Sequence, residues 1–230
     1  MGSEGRPVSV AVEVGPIAGG EHRAAARILG DAFLDDPVWT AIGPRNRAHR
    51  RIANRFSFAG ILAGSSRNGG RITVARERGI PVGVSVAFEP GRWPIPEGSV
   101  VYELGWLLVA GPMPALRGLR NDRAMRAQHV DHPHMYLWFI AVDPDRHGTG
   151  VGRALLADLH AASDALGVPA FLETGTSANV AFYERQGYAT VGEIEMPTGQ
   201  PMWKMERPAA TGGFARSPRP ARARTPPRPR

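Results

Sequence analysis

The sequence contains no cysteine. This absence excludes disulfide bonds, thiolate metal sites and a cysteine nucleophile, and it is compatible with the cytoplasmic location that we expect. No apolar run reaches the roughly 20 residues of a membrane-spanning helix, and Glu103 sits beside the longest run, near residues 104–110. The N-terminus lacks a basic segment followed by an apolar one. We therefore predict neither a signal peptide nor a membrane partner.

Acidic residues are absent from residues 211–230, which contain six arginines: Arg216, Arg219, Arg222, Arg224, Arg228 and Arg230. Without those six charges, the formal net charge of +7 becomes +1 for residues 1–210. A Pro/Arg-rich segment buries too little apolar surface to offset the entropy lost on ordering. We interpret it as a solvated extension without a partner, with binding of a nucleic acid as the alternative.

The length suits one domain with a real core and tails. We predict a domain over residues 7–208, between disordered segments 1–6 and 209–230. Either a monomer or a homodimer is compatible with the sequence.

One stretch carries the strongest signal. Met135–Val142 is rich in aromatic and β-branched residues and predicts a buried strand. Gly148, Gly150 and Gly152 follow, and a helical apolar spacing starts at Val151. A glycine turn into a helix presents unpaired N–H groups and the positive end of the helix dipole. This arrangement predicts a seat for a phosphate or pyrophosphate.

Several interpretations of this turn remain open. A P-loop requires Lys and Ser or Thr after the last glycine, but Arg153-Ala154 follow Gly152. A dinucleotide fingerprint requires a third glycine where Arg153 stands, although Glu173 lies about where the ribose-binding acid belongs. A glycine turn without a ligand is a further alternative.

Two segments carry a family resemblance. His147–Gly152 resembles the acyl-CoA loop of the GNAT superfamily of N-acetyltransferases, with His147 replacing the usual Gln or Arg. Downstream, Asn179 precedes Phe182-Tyr183, and Gly187-Tyr188 follow, as in the second signature of that family. Puromycin N-acetyltransferases are similar in both the Leu-Glu-Thr strand and the Phe-Tyr-Glu-Arg helix.

The resemblance implies an α+β (mixed α/β) fold. Helices would flank a GNAT-type central sheet, mostly antiparallel, with one parallel, splayed strand pair. It also implies acetyl-CoA as co-substrate, no metal, and direct acetyl transfer to a primary amine of a small molecule, such as an aminonucleoside. A protein or peptide N-acetyltransferase and a non-catalytic CoA-binding module are the alternatives.

The resemblance also implies site residues. Tyr183 would protonate the leaving thiolate, and Glu173 is the candidate base. The residues expected to bind CoA are Ile140, Ala141, Val142, His147, Gly148, Thr149, Gly150, Val151, Gly152, Arg153 and Asn179. The residues expected in the substrate pocket are Asp36, His134, Tyr136 and Trp138. Asp36 as a solvated helix-end carboxylate, Tyr183 as a packing residue and Asn179 as a helix N-cap remain open.

The remaining patterns predict the outer elements. A strand is expected at 8–14, helices at 21–34, from Pro44 onward, at 100–110 and at 115–130, and hairpins at 71–88 and 189–206. The pattern Asp35-Asp36-Pro37 is expected to end the first helix. His129, His132 and His134 lie near Asp131, but without the spacing of a known zinc motif we predict no metal site.

Overall fold

The computed structural model describes residues 11–93 and 100–210, with the backbone alone for residues 100–103. The predictions for residues 1–6, for the start of the first strand and for the tail from 211 onward lie outside the described residues.

A seven-stranded sheet forms the centre of the molecule, in the order β1-β2-β3-β4-β5-β7-β6. Its strands are β1 Val12–Pro16, β2 Arg71–Glu77, β3 Ile80–Phe88, β4 Met135–Val142, β5 Ala170–Thr174, β6 Ala189–Glu195 and β7 Pro201–Arg207. Neighbouring strands are antiparallel except β4 and β5, which are parallel. The predicted fold class is confirmed.

Helices cover both faces of this sheet. They are α1 His22–Ala32, α2 Pro37–Ile42, α3 Arg47–Arg67, α4 Val100–Ala110, α5 Pro112–Gln128, α6 Val151–Leu166 and α7 Ser177–Glu184. On one face, α1 and α3 bury Ile28, Leu29 and Phe58 against β2–β4. On the other face, α6 buries Leu155 and Leu156 against the sheet. The sheet is therefore the middle layer of three.

The prediction for residues 35–46 is wrong in two places. Helix α1 already ends at Ala32, and Asp36-Pro37 instead starts α2, because the Asp36 carboxylate accepts hydrogen bonds from the N–H groups of Val38 and Trp39 at 3.0 and 3.1 Å. Helix α3 begins at Arg47 and not at Pro44. The reason is Asn46, whose side chain caps the helix by accepting a hydrogen bond from the N–H of His49.

The parallel pair β4–β5 is short. Only three residue pairs connect the strands, from Met135↔Ala170 to Leu137↔Leu172. Beyond Leu137, β4 continues to Val142 with β3 on its other side. In the part of the chain that the structure describes, no strand pairs with β4 across this gap, which is the predicted splay.

Candidate active site

A cavity of about 290 Å³ opens where β4 and β5 part. Seven of its described lining residues are aromatic: Phe33, Trp39, Trp106, Tyr136, Trp138, Phe139 and Tyr183. Three carboxylates also line it, those of Asp36, Asp122 and Glu173. None of the described lining residues is Lys, Arg or His. The cavity therefore offers negative charge and π faces, a combination suited to an organic cation.

The glycine turn lies at the far end of β4. Gly150 has φ 93° and caps α6 without any side-chain hydrogen bond, so the first N–H groups of the helix have no side-chain partner there. A Cβ added at Gly148 or Gly150 would meet no atom of the described residues within 4 Å, so these residues leave the surface beside the turn open. The turn thus has the geometry of an anion seat.

Close packing fixes the turn against the sheet. A Cβ at Gly83 of β3 would lie 2.7 Å from Cγ1 of Val151 and 3.1 Å from Cδ1 of Leu155. Only glycine allows the first turn of α6 to approach β3 this closely. On the other side, the ring of Phe182 lies over Gly152. The glycine turn is therefore held by both β3 and α7.

Tyr183 reaches the cavity from α7. Its ring is 7% exposed and packs against Phe182 and Tyr188, with centroid distances of 5.3 and 5.6 Å. Burial raises the pKa of the Tyr183 phenol above its usual value near 10. The hydroxyl therefore remains protonated, and able to donate a proton, throughout the neutral pH range.

Glu173 enters the same cavity from β5. Its side chain is 1% exposed, and Oε1 lies 3.2 Å from Nδ1 of His129. Its Oε2 is buried and makes no hydrogen bond of good geometry to the described residues, while the Tyr136 hydroxyl lies close enough to interact with the carboxylate. An unpaired buried carboxylate oxygen is costly unless a ligand or water pairs with it. The Glu173 carboxylate is therefore a buried acceptor beside the cavity with hydrogen-bonding capacity to spare.

Comparison with known proteins identifies this arrangement. Residues 121–190 match the sequence model of the acetyltransferase (GNAT) domain, a span that includes β4, the glycine turn, β5 and α7. The structure of "histone acetyltransferase HPA2 and related acetyltransferase" from Corynebacterium glutamicum superposes with a TM-score of 0.68 at 24% identity. It covers 88% of this chain and 99% of that one. The fold is that of the GNAT acetyltransferases.

More distant structures share this fold. The ribosomal-protein-S18-alanine N-acetyltransferase of Escherichia coli superposes with a TM-score of 0.51 at 16% identity, over 90% of this chain and 100% of that one. Naa20 of Chaetomium thermophilum, solved with a bisubstrate analogue, gives a TM-score of 0.50 at 16% identity, over 87% of this chain and 88% of that one.

Within the GNAT fold, the predicted site residues divide into three groups. Those that line the cavity are Asp36, Tyr136, Trp138, Ile140, Glu173, Asn179 and Tyr183. Those that form the turn and the helix start outside it are His147, Gly148, Thr149, Gly150, Val151, Gly152 and Arg153. Ala141 and Val142 belong to the last part of β4, between the other two groups.

For three predicted residues, the structure differs from an interpretation given in the sequence analysis. Asp36 is not a solvated carboxylate, since it lines the cavity and burial raises its pKa. Asn179 is not the N-cap of α7, because Thr176 holds that position and its hydroxyl accepts the hydrogen bond from the N–H of Asn179. His134 lies in a neighbouring cavity that shares the Tyr136 wall with this one.

Sequence reasoning missed several wall residues: Phe33, Trp39, Trp106, Asp122 and Phe139. Trp39 belongs to α2, which was not predicted. Asp122 lies on α5, in the central region where the resemblance is weakest. The order of the elements in the GNAT fold was the one signal that could have placed these wall residues beside the cavity.

Two searches of the described residues were negative. No group of three or more His, Cys, Asp or Glu side chains in that part of the chain has the geometry of a metal site. None of the described helices combines the length and hydropathy that crossing a membrane would require.

Proposed function

We propose that this protein is an acetyl-CoA-dependent N-acetyltransferase that acts on a primary amine of a small molecule. One observation carries the proposal. The cavity at the splay has the buried Tyr183 phenol and the buried Glu173 carboxylate on its wall, with aromatic rings around them and no described basic side chain. Basic side chains would repel an ammonium ion, whereas the groups present would attract it.

The residues of the turn fit a CoA co-substrate. The diphosphate would lie at the N-terminus of α6, where the N–H groups of Val151, Gly152 and Arg153 start the helix beneath an open surface. The exposed Arg153 side chain adds positive charge. The pantetheine arm would follow the free edge of β4 past Ile140 toward the cavity. When bound, acetyl-CoA supplies the thioester from which the acetyl group is transferred.

Each residue in the cavity then has a chemical task. Glu173 takes a proton from the acceptor amine through Oε2, directly or through one water. The main chain of β4 near Ile140 supplies the hydrogen bond for the developing oxyanion. Tyr183 gives its hydroxyl proton to the departing sulfur. Holding both reactants in one cleft also removes much of the entropic barrier to a bimolecular reaction.

The residues that line the cavity indicate which class of acceptor amine it would bind. Asp36 provides negative charge for a cationic acceptor, whereas Asp122 is paired with Arg126, and the aromatic residues provide faces for an aromatic or apolar body. An aminonucleoside has both parts, which agrees with the resemblance to puromycin N-acetyltransferases. Protein acceptors are the alternative, because some structures with this fold act on ribosomal proteins.

A thiol-release assay with acetyl-CoA tests the proposal. The panel should contain aromatic amines including puromycin, aliphatic amines, and peptides with free N-termini. We expect turnover of small aromatic amines and none of the peptides. Turnover of peptides alone would favour the protein acetyltransferase. CoA binding, measured by calorimetry, without turnover of any amine would favour the non-catalytic module.

A further inference from the structure

A second cavity, of about 470 Å³, lies behind Tyr136. His129, His132 and His134 line it together with Trp93 and Arg126. Tyr136 lines both cavities, and His129 lines the second while contacting Glu173 of the first. A thin wall of side chains therefore separates the two cavities, and the contact between His129 and Glu173 runs through this wall.

Three hydrogen-bond contacts run in series through this wall. Oε1 of Glu173 lies 3.2 Å from Nδ1 of His129. Nε2 of His129 lies 3.1 Å from Nε2 of His134. Nδ1 of His134 lies 2.7 Å from the carbonyl oxygen of His132. The series connects the candidate base to a residue that faces the second cavity.

The number of protons available to these contacts is the decisive feature. A carbonyl oxygen only accepts hydrogen bonds, so in the contact between His134 and the His132 carbonyl the proton must be on Nδ1 of His134. A neutral His134 then offers a lone pair at Nε2, which requires N–H at Nε2 of His129. A neutral His129 in turn faces Glu173 with a lone pair at Nδ1. An ionised carboxylate also only accepts, so this first contact lacks a proton.

Three contacts thus require three protons, while two neutral imidazoles supply two.

We propose that Glu173, His129 and His134 form a proton relay that accepts the proton of the acceptor amine and releases it into the second cavity. This inference rests on the proposed function. His129 and His134 are positioning and relay residues, since neither lines the cavity of the reacting groups.

The proton balance of one turnover is then complete. As the amine nitrogen bonds to the acetyl carbon, its N–H proton passes to Glu173 and fills the gap at Nδ1 of His129. Tyr183 protonates the sulfur as the carbon–sulfur bond breaks, and its phenolate regains a proton from water when the products leave. A proton then leaves through His134 to water in the second cavity, and Glu173 is again a carboxylate. Burial lowers the pKa of His134, which favours this release.

The charged and titratable surroundings of the relay come from several elements. The groups that line the second cavity are Glu89 after β3, Arg126 on α5, Asp131 and His132 before β4 and Tyr136 on β4, and the Tyr136 hydroxyl also interacts with Glu173. Arg126 is occupied by Asp122 and by the ring of Trp93. The His132 side chain pairs with Glu206 at 2.6 Å and so stands outside the series.

Nuclear magnetic resonance of histidine-labelled protein tests the relay without any substrate. We expect His134 to carry its proton on Nδ1 and His129 to carry its proton on Nε2, as the contacts require. Glu173→Gln should shift the imidazole nitrogen resonances of His129 and leave those of His22, on α1, unchanged. A His134 protonated on Nε2, or a His129 indifferent to Glu173→Gln, would overturn the relay.

Kinetics then test its role in turnover. His129→Gln keeps a hydrogen-bonding group beside Glu173 but cannot pass a proton. We expect kcat/KM to fall by about 100-fold or more and the acidic limb of its pH profile to change. Added imidazole should restore part of the activity of His134→Gly through the second cavity. His22→Gln, outside the series, is the matched control.

The outcomes separate the two proposals. If the unaltered protein acetylates no amine, the proposed function fails, while the resonance experiment still decides the relay. If the protein is active and folded His129→Gln retains its rate and pH profile, the relay is wrong and the proposed function stands. Should His129→Gln fail to fold, the Glu173→Gln spectra and the imidazole rescue decide the question.

Discussion

At the residue scale, the phenol of Tyr183 allows a direct test of acid catalysis. Tyr183→Phe removes only the hydroxyl, so we expect kcat to fall by about 100-fold or more while the dissociation constant for CoA changes little. Because burial raises the phenol pKa, Tyr183 should produce no loss of activity up to about pH 10. Steady-state rates across pH and calorimetry with CoA provide the measurements.

Tyr188→Phe is the matched control for this substitution. Tyr188 is buried in the same cluster, and its hydroxyl contacts Nε2 of His160 at 3.2 Å. Loss of that hydroxyl should alter stability and leave the chemical step intact. Equal losses of kcat in both variants would show that Tyr183 acts through packing alone.

The sequence was informative about some site residues and silent about others. Tyr183 and Asn179 came from a local signature, and both line the cavity, although their roles stay predictions. His129 is 44 residues from Glu173 along the chain, and their contact depends on where α5 ends relative to β5. No local pattern encodes such a pairing. The histidine cluster was therefore noticed, but its partner was not.

At the element scale, Gly83 tests the packing that holds the glycine turn. Gly83→Ala would force Val151 and Leu155 away from β3, at a cost of about 1–3 kcal/mol in the free energy of unfolding. Displacement of α6 should also weaken CoA binding. Urea denaturation and calorimetry measure the two effects.

Gly64→Ala is the control for added volume. Gly64 lies in α3, and a Cβ there would meet no atom within 4 Å. Helix propensity should then stabilise the protein by about 0.5–1 kcal/mol. Unchanged CoA affinity in Gly83→Ala would show that the position of α6 does not depend on this contact.

Elements with a clear sequence signal were predictable, including the short β5 and α7, whereas the short helix α2 was not. The bounds of β4 and the start of α6 match the prediction, because a continuous apolar run and a glycine turn mark them clearly. Helix α2 has six residues and none of them is fully buried, so it leaves no periodic pattern. The predicted hairpin of β6 and β7 is present, but its sequence did not indicate that β7 would lie against β5.

At the scale of the whole molecule, buried histidines predict a dependence of stability on pH. Burial, with a contribution from Arg207, lowers the pKa of His160 to about 4, whereas the unfolded chain has a value near 6.5. The unfolded state therefore binds the proton more tightly. Stability contributed by neutral His160 is fully present above about pH 6.5 and is lost as the pH falls toward 4.

We expect the urea midpoint of the protein to decrease across this window, and to decrease less in His160→Gln. His22→Gln provides a comparison at a histidine on α1. The measurement is a series of urea denaturations between pH 4 and pH 7, read by circular dichroism. Parallel curves for the protein and for His160→Gln would contradict the assignment.

The position of β7 inside the sheet also affects how the protein can be synthesised. On its β7 side, β5 gains its antiparallel neighbour only when Pro201–Arg207 has been made. A nascent chain that stops before this segment would leave a bare strand edge, which is a template for aggregation. Met202 is also part of the cavity wall, so that wall is completed only late in translation. Ribosomal stalling between α7 and β7 should therefore produce a chain prone to self-association rather than a partly active enzyme.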